Sequence, residues 1–347
     1  MSLYRPVCIG SLALGGNLFL APVAGYSGRA FRSICVEAGA DFTFTELISA
    51  ESLIRKPPAD RADPHNPVGI LLRRGEGEKQ YAIQLFGAVP ERIAEAVALL
   101  APWRPAVVDI NGGCPVPKVT KTGAGSALMR DPANLGRVGE AAVRASREHL
   151  ENAPVTIKIR SGWDQPSINY AECARIAVEA GAAMVSLHPR TRAQDYGGKS
   201  DWSCIADLVS RLPVPVTGSG DLYTPEDAER MLRETGCAAV MFARGAMGNP
   251  FIFTETRSLL TAGSYAPPEP AERFAAAFRQ LEMLAADLGE RKACLEMRKQ
   301  FCAYAAGGRG RPGIPGAAAL RNRLVRAAAL AEYREILHQA GIEVGNR

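Results

Sequence analysis

Eight short apolar runs recur between Asn17 and Arg244, each followed by a segment that reads as helix. They are NLFLAP (17–22), DFTFTE (41–46), YAIQLF (81–86), AVVDIN (106–111), VTIKIR (155–160), AMVSLH (183–188), VPVTGSG (214–220) and AAVMFAR (238–244). Apart from their polar ends, the runs are continuously apolar and do not alternate. A strand with one wet face must alternate, so this pattern marks parallel strands covered on both sides. Between the runs lies helix punctuation. EAGA (37–40) and EAGAAM (179–184) end helices at Gly39 and Gly181 and lead straight into a strand. Thr224-Pro225-Glu226-Asp227 offers an N-cap, a first-turn proline and acids matched to the helix dipole. This rhythm predicts an α/β chain folded as a (β/α)8 TIM barrel. A doubly wound sheet with inserts is the competing arrangement.

The rhythm stops near Gly263. GSYAPPEPAE (263–272) reads as a Pro-rich linker, and beyond it the chain is helical over 273–289, 291–307 and 317–341. Two domains are expected: a barrel over residues 1–262 and a small all-α C-terminal domain over 263–347. From Arg291 to Arg326 nine Lys and Arg residues face a single acid, Glu296. An excess of that size is a candidate phosphate-binding face, Arg321, Arg323 and Arg326 included. The alternative is a solvated helix surface.

With 47% hydrophobic residues, the 347-residue chain can bury a large core without disulfide or metal. Its eight cysteines are scattered, none in a CxxC pair, and it has four histidines. No metal site is expected, and a reducing cytoplasm suits the cysteines. The first 25 residues faintly resemble a signal peptide, but Gly10, Gly15, Gly16 and Asn17 interrupt the apolar run. No stretch approaches the roughly 20 apolar residues that span a bilayer, so no membrane partner is expected.

In a barrel the chemistry sits where strands end at their carboxyl termini. Here those ends read APVAGYS, TEL, QLFG, DINGGCP, KIRSGW, HPRTR, TGSGD and ARGAMGNP. A core has no use for Gln84, Asn111, Lys158, His188 and Arg190 at equivalent places. Each has a bland explanation alone; together they argue for a site. TGSGD and ARGAMGNP add small residues whose backbone N–H groups approach an anion, with Arg244 supplying charge. Barrel phosphate sites are frequently built after strands seven and eight.

The stretches LAPVAGYSGRAFR, QLFG, DINGGCPVPKVTKTGAGSAL, TIKIRSGW, HPRTR, GSGDLYTPEDA and FARGAMGNPFIF follow one another in order over residues 18–253. In these the chain resembles the tRNA-dihydrouridine synthase family, its bacterial B-type branch in particular. The resemblance implies an FMN-dependent reductase that saturates the C5–C6 bond of uridine in tRNA, with NADPH or NADH as the transient reductant. It implies Pro22, Val23 and Ala24 against the flavin ring, Gln84 at its polar edge, and Lys158 near N1/O2, where a cation stabilises the reduced anion. His188 follows close to the cofactor. Ser219, Gly220, Asp221, Ala243 and Arg244 would hold the ribityl phosphate. Asn111 and Arg190 are candidates for the uracil or a neighbouring phosphate.

Cys114 sits between a glycine pair and a proline. A thiol with an ordinary pKa of about 8.5 stays protonated at neutral pH and can deliver a proton to C5 as a general acid. KVTKTGAGSAL then reads as a mobile flap over the site. Three positions depart from the family pattern: Ser219 stands for an asparagine, and Ala243 and Pro189 for glycines. They put the details of the phosphate region in question. A base inside folded tRNA must be flipped out to reach a barrel floor, and the basic helical segment is expected to offset that cost. A monomer is favoured. The rival readings are an FMN barrel acting on a free pyrimidine, as dihydroorotate dehydrogenases do, and a non-catalytic RNA-binding barrel.

Overall fold

The computed structural model describes residues 2–57, 66–306 and 316–344. The chain opens with an antiparallel hairpin, β1 (Val7–Ile9) and β2 (Leu12–Leu14). A parallel sheet follows: β3 (Leu18–Leu20), β4 (Phe42–Thr43), β5 (Ile48–Ser49), β6 (Ala82–Phe86), β7 (Val107–Gly112), β8 (Val155–Gly162), β9 (Met184–Thr191), β10 (Val216–Ser219) and β11 (Ala239–Phe242). Its order is β4-β3-β11-β10-β9-β8-β7-β6-β5. The sheet closes where β4 runs on to meet β6: Phe44 bridges Ala82, and Thr45 N donates to Ala82 O at 3.0 Å. The arrangement is the expected TIM barrel. Each of the eight runs contains a strand; β5 is an additional pair of residues continuing the second one.

Both faces of the sheet are covered, which is why the runs do not alternate. Outside, helices pack on residues such as Val108, Ile110, Ile157 and Val185. Inside, Phe19, Phe42, Phe44, Met184 and Met241 fill the barrel floor together with Val7, Ile9 and Leu14 of the hairpin. The hairpin therefore plugs the amino-terminal end, a role not anticipated from the sequence. Its strands are too short to show a period. The helix punctuation is as expected. Thr224 Oγ1 accepts from Asp227 N at 3.2 Å while Asp227 Oδ2 accepts from Thr224 N at 3.1 Å, a reciprocal cap for the helix Pro225–Thr235.

Beyond the helix Ile252–Ala262, four further helices span Pro270–Leu288, Glu290–Ala306, Ala317–Leu324 and Leu330–Gln339. They surround a separate apolar cluster in which Phe301 stacks on Tyr333 at 4.7 Å between ring centroids. The single helix expected over 317–341 is broken between Leu324 and Leu330. The break folds the chain back so that Leu320, Leu324, Tyr333 and Leu337 are all buried in this cluster. Burial has overridden local helix propensity. The cluster is anchored to the barrel by ion pairs from Arg29 and Arg73 to Asp287, at 2.8 and 3.2 Å. Met283 also packs on Ala30 and Ile34.

Candidate active site

The carboxyl ends of the strands surround a cavity of about 440 Å³. Pro22, Val23, Ala24, Gln84, Asn111, Cys114, Lys158, His188, Ser219, Gly220, Asp221, Ala243 and Arg244 all line it. The sequence alone placed them at strand ends; the barrel brings them around one space.

On one side, β6 and β7 present amides and a thiol. Gln84 Oε1 accepts from Asn111 Nδ2 at 2.8 Å. Asn111 Oδ1 in turn accepts from the backbone N–H groups of Gly113 and Cys114, at 3.2 and 2.9 Å. Asn111 thus has its side-chain oxygen committed to the Cys114 turn. Burial pushes the Cys114 thiol above its ordinary range, against opposing pulls from the Val116 backbone, Arg160 and Lys158. The thiol is protonated at neutral pH. Ser126 donates to the Cys114 carbonyl from both N and Oγ, each at 3.0 Å. A Cβ on Gly125 would lie 2.8 Å from that same oxygen. The stretch expected to be a free flap is therefore pinned over its second half, where Ala124 to Ser126 are buried. Its exposed part is confined to residues 118 and 121–123.

On the other side, β8 to β11 present cations. Burial, with Arg160 adding repulsion, pulls Lys158 down to about 8. Among the described residues none hydrogen-bonds its ammonium. Arg160 lines the cavity too, and it was not singled out from the sequence. The signal was available: on a strand, residues two apart share a face, so Arg160 follows Lys158 inward. Its guanidinium is held by the carbonyls of Gly113 (2.9 Å), Thr191 (2.9 Å) and Asp195 (2.7 Å). Tyr196 and Tyr223 were also missed. Arg160 and Arg244 both lie over the Tyr196 ring, with their guanidinium carbons 5.5 and 5.4 Å from its centroid, and Arg244 also covers Tyr223 at 5.3 Å.

Arg190 is a correction. It was expected to meet the uracil or its phosphate, but it does not line the cavity. Its side chain is 1% exposed. Nη2 donates to both oxygens of Asp221 at 2.7 Å, Nε and Nη2 hold the carbonyls of Gly197 and Gly198, and Nη1 lies 3.1 Å from His188 Nε2. Arginine is a donor only, so His188 Nε2 accepts and the ring proton sits on Nδ1. Burial and then the charges of Lys158, Arg160, Arg190 and Arg244 hold His188 well below its usual pKa, so it is neutral. Asp221 lines the cavity with its carboxylate committed to Arg190 and the Ser200 N–H. Burial raises its pKa, but the Arg190 hydrogen bonds, the Ser200 N–H and Arg244 outweigh it and keep it a carboxylate.

The three departures acquire physical accounts. Ser219 Oγ spends its proton on Met241 O at 3.0 Å, so the hydroxyl is committed to the neighbouring strand. Ala243 does not take up a left-handed backbone, so no glycine is required there. Pro189 lies where the β8–β9 register shifts between Arg160 and Gly162, a place where a missing N–H breaks no regular ladder. Gly220, in contrast, has φ 107°, and a Cβ there would lie 2.9 Å from the His188 ring.

The basic helical residues lie outside the cavity lining. Arg321 is half-buried, Arg323 and Arg326 are exposed, and Arg323 donates to Gln339 Oε1. Arg309 and Arg311 lie outside the described residues. Lys299 is the basic residue that reaches the rim: its Nζ is 5.1 Å from the Tyr26 ring centroid, and Tyr26 lines the cavity.

Fold and site together define a TIM-barrel enzyme with a thiol and several cationic side chains around one cavity at the carboxyl ends of the strands. The fold is shared with the old yellow enzyme homologue from Zymomonas mobilis, which is 13% identical with a TM-score of 0.53 over 77% of this chain and 94% of that one. The sequence goes further. The family described as "Dihydrouridine synthase (Dus)" matches residues 19–343. A "Probable tRNA-dihydrouridine synthase" of Treponema pallidum (strain Nichols) is 48% identical over 344 residues, covering 98% of this chain and 97% of that protein. The "tRNA-dihydrouridine synthase B" of Xanthomonas axonopodis pv. citri (strain 306) is 36% identical over 268 residues, covering 75% of this chain and 74% of that protein. The chain belongs to the dihydrouridine synthase (Dus) family.

Proposed function

We propose that this chain reduces the C5–C6 double bond of uridines in tRNA, with FMN held in the cavity and NADPH or NADH as the electron source. The observation that carries the cofactor assignment is Lys158: a half-buried ammonium with no hydrogen-bond partner among the described residues, facing a cavity of ligand size. Asp109 attracts it through space, and an anion in the cavity would complete its neutralisation. Family membership supports a flavin as that group, and the residues present fit one. Pro22, Val23 and Ala24 give an apolar wall, Gln84 an amide, Gly220 a close backbone approach, and Arg244 a charge for a phosphate. A bound flavin supplies hydride chemistry.

Saturating the bond takes one hydride and one proton. The proton is Cys114's part. Its Sγ–H is retained at neutral pH and would be delivered to C5. Lys158, on the adjoining strand β8, balances negative charge. His188, neutral, offers Nδ1–H as a donor. Arg190 acts through His188 and Asp221. The helical region 263–347 would grip the tRNA by its phosphates, with Lys299 and the arginines Arg321, Arg323 and Arg326. The relatives are named for tRNA, which favours an RNA substrate over a free pyrimidine. Among the described residues, no helix is long and apolar enough to cross a membrane.

The test has two parts. Purified protein should show flavin absorbance bands and release FMN on denaturation. Transfer RNA from a deletion strain should lack dihydrouridine at one or more positions and regain it on complementation. Protein that stays colourless after incubation with excess FMN would sink the cofactor assignment, and unaltered dihydrouridine would sink the substrate.

A further inference from the structure

Beneath the cavity lies a buried carboxylate that the reaction does not use. Asp109 sits on β7, in register with Gln84 on β6 and Thr156 on β8. All three are at most 1% exposed. Asp109 Oδ2 accepts from Gln84 Nε2 at 2.6 Å, and Oδ1 accepts from Thr156 Oγ1 at 2.5 Å. Gln84 Oε1 then accepts from Asn111 Nδ2, and Asn111 Oδ1 from the Gly113 and Cys114 N–H groups. The chain of bonds runs from the barrel floor to the backbone of the Cys114 turn.

We propose that Asp109 is a positioning residue: it sets the direction of the Gln84 and Asn111 amides and thereby fixes the turn that carries Cys114. The reason is symmetry. The two ends of an amide have nearly the same size, so packing cannot choose between them. A carboxylate chooses, because it only accepts. Facing Asp109, Gln84 must turn its nitrogen down and its oxygen towards Asn111. Asn111 must then turn its nitrogen to Gln84 and its oxygen to the two backbone N–H groups. Reversing either amide sets acceptor against acceptor or donor against donor at hydrogen-bond distance. Every other side chain in the series is an amide or a hydroxyl and adapts to its neighbours. Desolvating a carboxylate is costly, so its retention asks for a role beyond packing. Loss of the acceptor, with burial unchanged, should leave both amides free to reverse and the Cys114 turn without its anchor.

The experiment compares Asp109→Leu, Asp109→Asn and the double variant Asp109→Asn/Thr156→Val with wild type, each as purified. In Asp109→Asn the new amide can keep its oxygen on Gln84 and give its nitrogen to the Thr156 hydroxyl, so the direction survives. In the double variant that nitrogen loses its acceptor and the direction is lost again. Hydrogen exchange of the peptide containing Gly113 and Cys114 should quicken about tenfold in Asp109→Leu and in the double variant, the factor for losing one ordinary hydrogen bond. Asp109→Asn should stay within about twofold to threefold of wild type. The melting temperature of Asp109→Leu should not fall in step, because a buried charge has been replaced by an apolar group. Should Asp109→Leu fail to fold, the contrast between Asp109→Asn and the double variant decides alone. Exchange unchanged in the double variant, or equally fast in Asp109→Asn, overturns the proposal. So does exchange in the variants that merely tracks their melting temperatures. The catalytic consequence rests on reading Cys114 as proton donor, and it is measured separately: kcat with tRNA should fall at constant KM. Faster exchange without that fall leaves the Asp109 relay standing and removes Cys114 from its proposed part.

Discussion

The two walls of the cavity are built on opposite plans. On β6 and β7 every polar group already has its partner: Gln84 is held by Asp109 and Asn111, and Asn111 by the Cys114 turn. On β8 to β11 the groups are cationic and incompletely answered. Lys158 lacks a hydrogen-bond partner among the described residues, and Arg244 has one ion pair, to Asp221 at 3.4 Å, plus two aromatic faces. A wall complete in itself holds a geometry. A wall with unanswered cations waits for an anion. The two plans meet at the β7–β8 pair, where Asn111 is in register with Lys158.

The largest expected effect tests the completed wall. Cys114→Ala should leave flavin reduction by NADPH unchanged, because that half-reaction involves no uracil. Re-oxidation by tRNA should slow by about 10²–10⁴-fold, the usual worth of a positioned general acid. Stopped-flow measurement of the two half-reactions checks this. Equal slowing of both, with a lower melting temperature, would reduce Cys114 to a packing role.

Next comes the cationic wall. Arg244→Ala should weaken FMN binding about 10- to 100-fold, since a charge-assisted contact is worth about 1.5–3 kcal/mol. The fold should persist. Fluorescence titration measures the affinity; an unchanged value would mean that Arg244 points elsewhere when the site is filled.

Lys158 separates stability from binding. Its folded pKa of about 8 lies below the ordinary value near 10.4, so the folded state binds its proton less well than the unfolded chain. Stability should therefore rise with pH between about 8 and 10, where the unfolded chain alone keeps the proton. Below that window the apoprotein carries a partly desolvated charge. Lys158→Met should raise the melting temperature of flavin-free protein at pH 7 by roughly 2–4 °C, the shift that about 1 kcal/mol produces in a domain of this order of size. It should also flatten the rise above pH 8 and weaken flavin binding. Thermal scans across pH decide it: a variant less stable at pH 7, or one that keeps the wild-type pH slope, contradicts the assignment of an unanswered charge.

The smallest effect concerns the helical region. Replacing Arg321, Arg323 and Arg326 together by Gln should weaken tRNA binding several-fold and flatten its dependence on salt, with NADPH oxidation untouched. Binding isotherms at several salt concentrations report the slope. If the slope is the same, these arginines form only a solvated face.

The sequence by itself determined parallel strands covered on both faces and the polar residues at their ends; that the sheet closes into a barrel was decided by the tertiary structure. Continuous apolar runs require two covered faces, and a polar residue ending such a run must lie at the rim. Cys114, Lys158, Gln84, Asn111 and His188 were therefore legible as members of one ring before any coordinates. What the tertiary structure alone decided was which partner each polar group takes. Arg190 and Arg244 read alike as basic strand-end residues, yet Arg190 is sealed behind Asp221 and Arg244 lines the cavity. Ser219 reads as a free hydroxyl, yet its proton goes to Met241. Asp109 reads as one acid in an apolar run, yet it faces Gln84 and Thr156 and directs the amides above it. The hairpin plug and the broken last helix belong here too. The physical reason is common to all of them. Periodicity fixes the face on which a side chain emerges, and that is a local property. Hydrogen-bond partners and burial come from strands and loops distant in sequence, and they exist only once the sheet has closed.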